Sequence, residues 1–200
     1  ILSPLGGGGS AEVFRVKDRV TNTFLALKLM KQHQRASEKT LLGAFLREFR
    51  VLTGLRHPHL LRVHDFGTHP QADGARAWFT MDLVDGRPVD QSLPRLPDWG
   101  VFARAFDAVA DALGAIHEKG LLHGDITSSN ILVGSDPSAI PPPVWLMDLG
   151  LAELTGRSYE GAVRGTVATV APELLKGGAV DARADLYSLG CVMYRVVTGQ

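Results

Sequence analysis

The sequence predicts an α+β protein in two lobes, a strand-rich lobe with one helix over residues 1–84 and a helical lobe over residues 85–200. Three observations carry that prediction. Two apolar runs between residues 13 and 30 lie at hairpin distance, as paired strands do. Val101, Phe102, Ala105, Phe106, Val109, Leu113 and Ile116 recur at helical spacing. Beyond the turn Asp85-Gly86-Arg87-Pro88 the strand signals fade. With 45% hydrophobic and 21% charged residues, the chain has material for a folded core.

The chain opens on Leu5-Gly6-Gly7-Gly8-Gly9-Ser10-Ala11, a glycine-rich turn, followed by Val13-Phe14-Arg15-Val16, which reads as a strand. Such a stretch is either a flexible linker or a turn whose main-chain N–H groups can approach phosphates closely. The flanking strands argue for the turn, because Thr23 to Met30 follows across Arg19 to Asn22. Lys28 lies inside that second apolar strand, where a charge needs a partner or an exit to solvent. A helix is expected from about Glu38 to Leu55, with Leu42, Phe45, Leu46, Phe49, Leu52 and Leu55 on its inner face and Glu48 within it. Pro58 ends it by disfavouring helical backbone at His57. Strands are expected around Leu60 to Val63 and Trp78 to Leu83, separated by a polar loop from His69 to Arg76.

In the second lobe Pro97-Asp98 starts the long helix, which runs to Gly120. Its end delivers Leu122-His123-Gly124-Asp125-Ile126-Thr127-Ser128-Ser129-Asn130, an acid and, five residues later, an amide in a polar loop. Ile131 to Val133 and Val144 to Met147 are short strands around a proline-rich turn, Ser135 to Pro143. Asp148-Leu149-Gly150 follows. Ala152 to Val170 lacks periodicity and holds Thr155, Ser158, Tyr159, Thr166 and Thr169. Ala171-Pro172-Glu173 closes it, and Asp185 to Tyr194 begins an apolar helix ending at Gly199.

Composition narrows the partners. Lys plus Arg and Asp plus Glu are both 21, so no overall field attracts nucleic acid or an anionic membrane. The single cysteine, Cys191, sits in a helical apolar pattern and excludes a disulfide within the chain, which fits a reducing, cytoplasmic compartment. No apolar run has the length of a membrane span, and no signal-peptide layout opens the chain.

Taken in order, the glycine turn, Lys28, Glu48, the segment after Met81, His123 to Asn130, Asp148 to Gly150 and Ala171 to Glu173 match seven motifs of one family. From residue 2 to 200 the chain resembles a eukaryotic-type (Hanks-type) serine/threonine protein kinase of the bacterial kind, truncated at its C-terminal end. The resemblance implies a two-lobed protein-kinase-like fold with ATP and Mg2+ between the lobes. Gly6, Gly8 and Ala11 would stand at the three small-residue positions of the phosphate loop. Val13, Ala26 and Leu132 would sandwich the base, with Met81 beside it and the main chain of Asp82 and Val84 bonding its edge. Lys28 would hold phosphates and Glu48 would orient Lys28. Asn130 and Asp148 would bind metal, and Asp125 would receive or orient the hydroxyl proton. Leu52, Val63, His123 and Leu149 would form an apolar column. Protein substrates and fusion to further domains are also implied.

Departures from the family pattern bear on rate and control. Ala11 replaces the third glycine, and Leu149 replaces phenylalanine. Thr127 stands where a lysine usually contacts the transferring phosphate. Removing one such preorganised donor costs roughly 2.7 to 4 kcal/mol, so a weakly active or pseudokinase module is the alternative expectation. Gly124 replaces the arginine that pairs with activation-loop phosphate. Gly165-Thr166 before Ala-Pro-Glu points to Ser and Thr substrates.

Overall fold

A computed structural model describes residues 1–7, 11–31, 53–71, 74–93, 98–136, 139, 141–148, 153–154, 169–175 and 180–200. The chain divides into two compact units, Ile1–Arg56 with Leu61–Val84, and His57–Leu60 with Asp85–Gln200.

The first unit holds a five-stranded antiparallel sheet built from β1 (Ser3–Gly7), β2 (Ala11–Lys17), β3 (Phe24–Met30), β4 (Val63–Gln71) and β5 (Gly74–Asp82), in the order β1-β2-β3-β5-β4. Local chemistry makes the β2–β3 turn: the Asp18 carboxylate accepts from Val20 N at 2.8 Å and from the Thr21 hydroxyl at 2.6 Å. Asn22 closes it at φ 60°, a left-handed conformation that asparagine tolerates. Partners across an antiparallel ladder share a face. Val13, Lys28 and Phe79 therefore lie together, as do Ala26, Met81 and Val63. One period of two along β3, from Ala26 to Lys28, puts both groups on the same side of the sheet.

In the polar stretch His69 to Arg76, expected as a loop, the described residues instead continue the β4–β5 ladder, with His69 opposite Arg76 and Gln71 opposite Gly74. Ladder bonds are main-chain bonds, so polar side chains do not prevent them. β4 also begins later than expected. Leu60 forms a parallel bridge to Leu146, and Leu146 N donates to His59 O at 2.8 Å, which draws His57–Leu60 into the second unit.

The second unit is led by β6 (Gly86–Pro88), a short helix α1 (Val89–Ser92) and the long helix α2 (Trp99–His117). Asp98 caps α2, its Oδ1 accepting from Gly100 N at 2.7 Å and Val101 N at 3.1 Å. The helical repeat buries Phe102, Ala105, Phe106, Val109, Ala112, Leu113 and Ile116, each large apolar side chain contributing roughly 1.5–3 kcal/mol. Gly120, at φ 69°, ends that stretch. β7 (Leu121–Leu122) follows, then β8 (Ile131–Gly134), β9 (Val144–Leu146) and β10 (Glu153–Leu154). β6, β8 and β9 form a three-stranded sheet, and β10 pairs with β7. α3 (Pro172–Leu175) and α4 (Ala182–Thr198) complete the unit. Asp181 caps α4, and Gly199 ends it at φ 72°. Leu122, Ala171, Val180 and Ala184 pack as one cluster, joining the start of α4 to β7 and Ala171. Among the described residues no helix is long and apolar enough to cross a membrane.

Candidate active site

In the first unit Val13, Ala26, Lys28 and Met81, expected from the sequence to meet the nucleotide, lie on one face of the sheet. Lys28 is 9% exposed, with Nζ 5.9 Å from the centroid of the Phe79 ring. Val13 is its ladder partner on β2. One pair further along, Ala26 stands opposite Met81, and both are buried. Gly6 lies in β1 opposite Val13, next to an irregularity in the pairing between Pro4 and Gly6, and Ala11 is buried at the start of β2. Gly8 and Glu48 lie outside the described residues, as do Leu52, Leu149 and Gly150. Asp82 ends β5 and Val84 ends the unit.

In the second unit β7 leads into the loop carrying Asp125. Asn130 turns its amide nitrogen onto that residue, Nδ2 donating to Asp125 O at 2.8 Å and to Asp125 Oδ2 at 3.1 Å. The acid is thereby held on both its main chain and its side chain. A 3-10 turn, Ser128–Asn130, delivers Asn130 into this position, and β8 then carries Leu132. Thr127 is buried, and its hydroxyl shares a hydrogen bond with Ser129 Oγ at 2.9 Å. It presents no cation.

The loop hangs on a residue far along the chain. Asp185, from the first turn of α4, is buried, and its carboxylate accepts from His123 N at 2.8 Å, Gly124 N at 2.9 Å and His117 Nε2 at 2.8 Å. Burial alone would raise its carboxyl. The bonds from His117, Gly124 and His123 outweigh burial and hold it below the ordinary value. Gly124 adopts φ 74°, a left-handed conformation in which glycine is unstrained, and in it the Gly124 N–H reaches Asp185.

His123 is fully buried, and burial lowers its pKa against the opposing pull of Asp185, the Met147 carbonyl, Asp125 and Asp148. Its contacts require the neutral ring. Nδ1 accepts from Asp125 N at 3.3 Å, so the proton sits on Nε2, which donates to Met147 O at 3.1 Å. The ring thus ties the Asp125 segment to the Met147–Asp148 segment.

Asn130 and Asp148 fit a hard cation. Because Asn130 commits Nδ2 to Asp125, its amide oxygen is the end turned away from that residue. Met147 N donates to Asn130 O at 2.9 Å, which brings the segment leading into Asp148 alongside. Asp148 itself sits at φ 64°, a conformation costing roughly 1–2 kcal/mol for a residue with a Cβ and concentrated at functional sites. An amide oxygen and a carboxylate are the donors magnesium takes.

The residues at this site that sequence reasoning left without a role are Asp185 and His117; in the first unit it also left an ion pair between Glu12 and Arg76 unforeseen. Arg76 Nη2 donates to Glu12 Oε2 at 2.8 Å and Arg76 Nε to Met30 O at 3.0 Å, spanning β2, β3 and β5. A charged residue opening an apolar helix was the one available signal for Asp185. It did not say which loop the charge served.

Residues 1–200 match the family model described as the protein kinase domain. The chain is 40% identical over 206 residues to the DNA damage-responsive serine/threonine-protein kinase RqkA of Deinococcus radiodurans, a match covering 100% of this chain and 29% of RqkA. It is 36% identical over 202 residues to the serine/threonine-protein kinase PknJ of Mycobacterium tuberculosis, covering 98% of this chain and 33% of PknJ. Among solved structures, the kinase domain of Mycobacterium tuberculosis PknI superposes with a TM-score of 0.77 at 30% identity, covering 100% of this chain and 72% of that one. The chain spans a third or less of the length of these curated relatives.

Proposed function

The chain belongs to the protein kinase domain family, and from that premise we propose that it transfers the γ-phosphoryl group of ATP to serine and threonine hydroxyls of protein substrates in signalling. The observation that carries this reading is the Asp125 loop, whose acid is held by Asn130 and whose main chain is held by buried Asp185. A loop so fixed keeps an acid preorganised for an incoming hydroxyl, and phosphoryl transfer depends chiefly on positioning and charge.

In this mechanism Asp125 accepts a hydrogen bond from the substrate hydroxyl, orients it and takes its proton as the new O–P bond forms and the bond from the γ-phosphorus to the bridging oxygen breaks, ADP leaving. Lys28, oriented by Glu48, binds the nucleotide's α- and β-phosphates. Gly6, Gly8 and Ala11 let main-chain N–H groups approach the phosphates, and Val13, Ala26 and Leu132 enclose the base, whose edge bonds the main chain of Asp82 and Val84 beside Met81. Family members use ATP with a divalent metal; here the ion is magnesium, held by Asn130 and Asp148, and when bound it neutralises charge on the phosphates. Thr127, already bonded to Ser129, adds no cation, so the transferring phosphate meets one cation fewer here than where lysine holds this position.

The first unit corresponds to the kinase small lobe and the second to the large lobe. The greater length of the relatives supports further domains on the same polypeptide, and one free cysteine supports a reducing, cytoplasmic location. The test is incubation of the full-length protein with γ-labelled ATP and a mixed protein substrate, then acid hydrolysis. Label in phosphoserine and phosphothreonine supports the proposal, and label in phosphotyrosine alone refutes it.

A further inference from the structure

Strand β4 carries an irregularity beside the segment assigned to the base. Val63 pairs with Met81 and Phe66 with Phe79, so His64 and Asp65 together oppose Thr80 alone. Two residues against one is a bulge, a device that re-aims a side chain. Side chains hold this one. Asp65 N donates to Thr80 Oγ1 at 3.1 Å, and Asp82 Oδ2 accepts from Arg62 N at 3.1 Å. The redirected His64 ring lies with Nε2 2.7 Å from Asp82 Oδ1, and since a carboxylate only accepts, Nε2 carries the proton. Asp82 N also donates to Arg62 O at 2.9 Å.

Asp82 is therefore tied to Arg62–His64 through its main chain and through both carboxylate oxygens. Its predecessor Met81 projects to the opposite face of β5, where Ala26 and Val63 are its ladder partners. Holding the side chain of Asp82 on one face and burying Met81 on the other fixes the rotation of the strand end, and with it the direction of the Asp82 carbonyl. We infer that His64 is a positioning residue for the nucleotide base: by anchoring Asp82 it aims that carbonyl at the amino group on adenine. The inference rests on the proposed nucleotide site and deepens it. A carbonyl can only accept, and the donor on the edge of adenine is its 6-amino group. His64 therefore favours purines with that donor over purines without it.

The experiment measures binding of ATP and of purine riboside triphosphate, which lacks the 6-amino group, to the full-length protein and its His64→Ala and His64→Gln variants. His64→Ala is expected to weaken ATP about tenfold, as for one hydrogen bond to a charged group, while purine riboside triphosphate changes less than about twofold. His64→Gln, which keeps an N–H donor, recovers most of the ATP affinity. In turnover the loss falls on KM for ATP and not on kcat. Unchanged ATP affinity in His64→Ala overturns the inference, as does equal weakening of both nucleotides. A Lys28→Met protein that still binds ATP normally would instead overturn the nucleotide site itself, whatever His64 does.

Discussion

Replacing Asp185 by asparagine keeps the shape of the side chain and removes what the Asp125 loop hangs on. The carboxylate is 3% exposed and receives three N–H donors, two of them main-chain. Asparagine offers one acceptor oxygen. Set where Oδ2 was, that oxygen keeps His117 and His123 N but points its own NH2 at Gly124 N–H. Stranding one buried donor costs about 1–3 kcal/mol, and each remaining bond loses about 1 kcal/mol when its acceptor loses charge. The sum, about 3–5 kcal/mol, is a large part of the roughly 5–15 kcal/mol that holds a domain together. With a urea slope of about 1–3 kcal/mol/M, the midpoint falls by more than about 1 M. The assay is urea unfolding of the full-length protein followed by tryptophan fluorescence, with Trp99 and Trp145 reporting on the second unit. The sign of the pH effect follows from the depressed carboxyl: its stabilisation is present above the ordinary value of 3.8 and is lost as pH falls below it. The gap between native protein and variant should therefore narrow in acid. A midpoint moved by less than about 0.3 M, or a gap that widens in acid, would refute the assignment of Asp185 as the anchor.

His123 adds a second pH dependence: its folded pKa lies below the ordinary 6.5, so the stability it contributes is complete above that value and declines as pH falls below it. Unfolding midpoints between pH 7 and 5 should decline in the native protein, and the part due to His123 should vanish in His123→Phe; an unaltered slope in the variant would count against the neutral-ring contacts. Asp148→Asn should abolish the tightening of ATP binding by magnesium, measured by titration with and without the ion, and a tightening that survives would remove Asp148 from the metal site. Gly124 offers no guanidinium to a phosphorylated activation loop, so phosphatase treatment should leave activity of the full-length protein within about twofold. A tenfold drop, about 1.4 kcal/mol in the barrier, reversed on rephosphorylation at Thr155 or Ser158, would contradict that expectation.

What the sequence disclosed was whatever has a local period or a fixed spacing. The apolar repeat of α2 and its Asp98 cap were legible because both are set within a few residues. So was the pairing of β2 with β3 across a turn rich in Asp18, Thr21 and Asn22. Asp125 and Asn130 were legible as a pair through the fixed five-residue spacing of the family motif, although the hydrogen bond between them was not foreseen. Asp185 was not, since it meets Gly124 across 61 positions and a long-range polar contact leaves no periodicity. The ladder at His69 to Arg76 was hidden by polar side chains, because the bonds that form it belong to the main chain. The bulge at His64–Asp65 was hidden for a related reason: one extra residue in a short strand is invisible until its partner strand is known.

The central claim is phosphoryl transfer that depends on an acid and a lysine standing in separate units of the fold. Its most direct test is transfer of γ-labelled phosphate from ATP to a serine- and threonine-containing protein by the full-length protein, beside Asp125→Asn and Lys28→Met proteins whose unfolding midpoints match the native one. Losing the proton acceptor or the phosphate-binding cation should each cut the initial rate at least about a hundredfold, with Asp125→Asn still binding ATP. Transfer by either variant at the native rate would contradict the account.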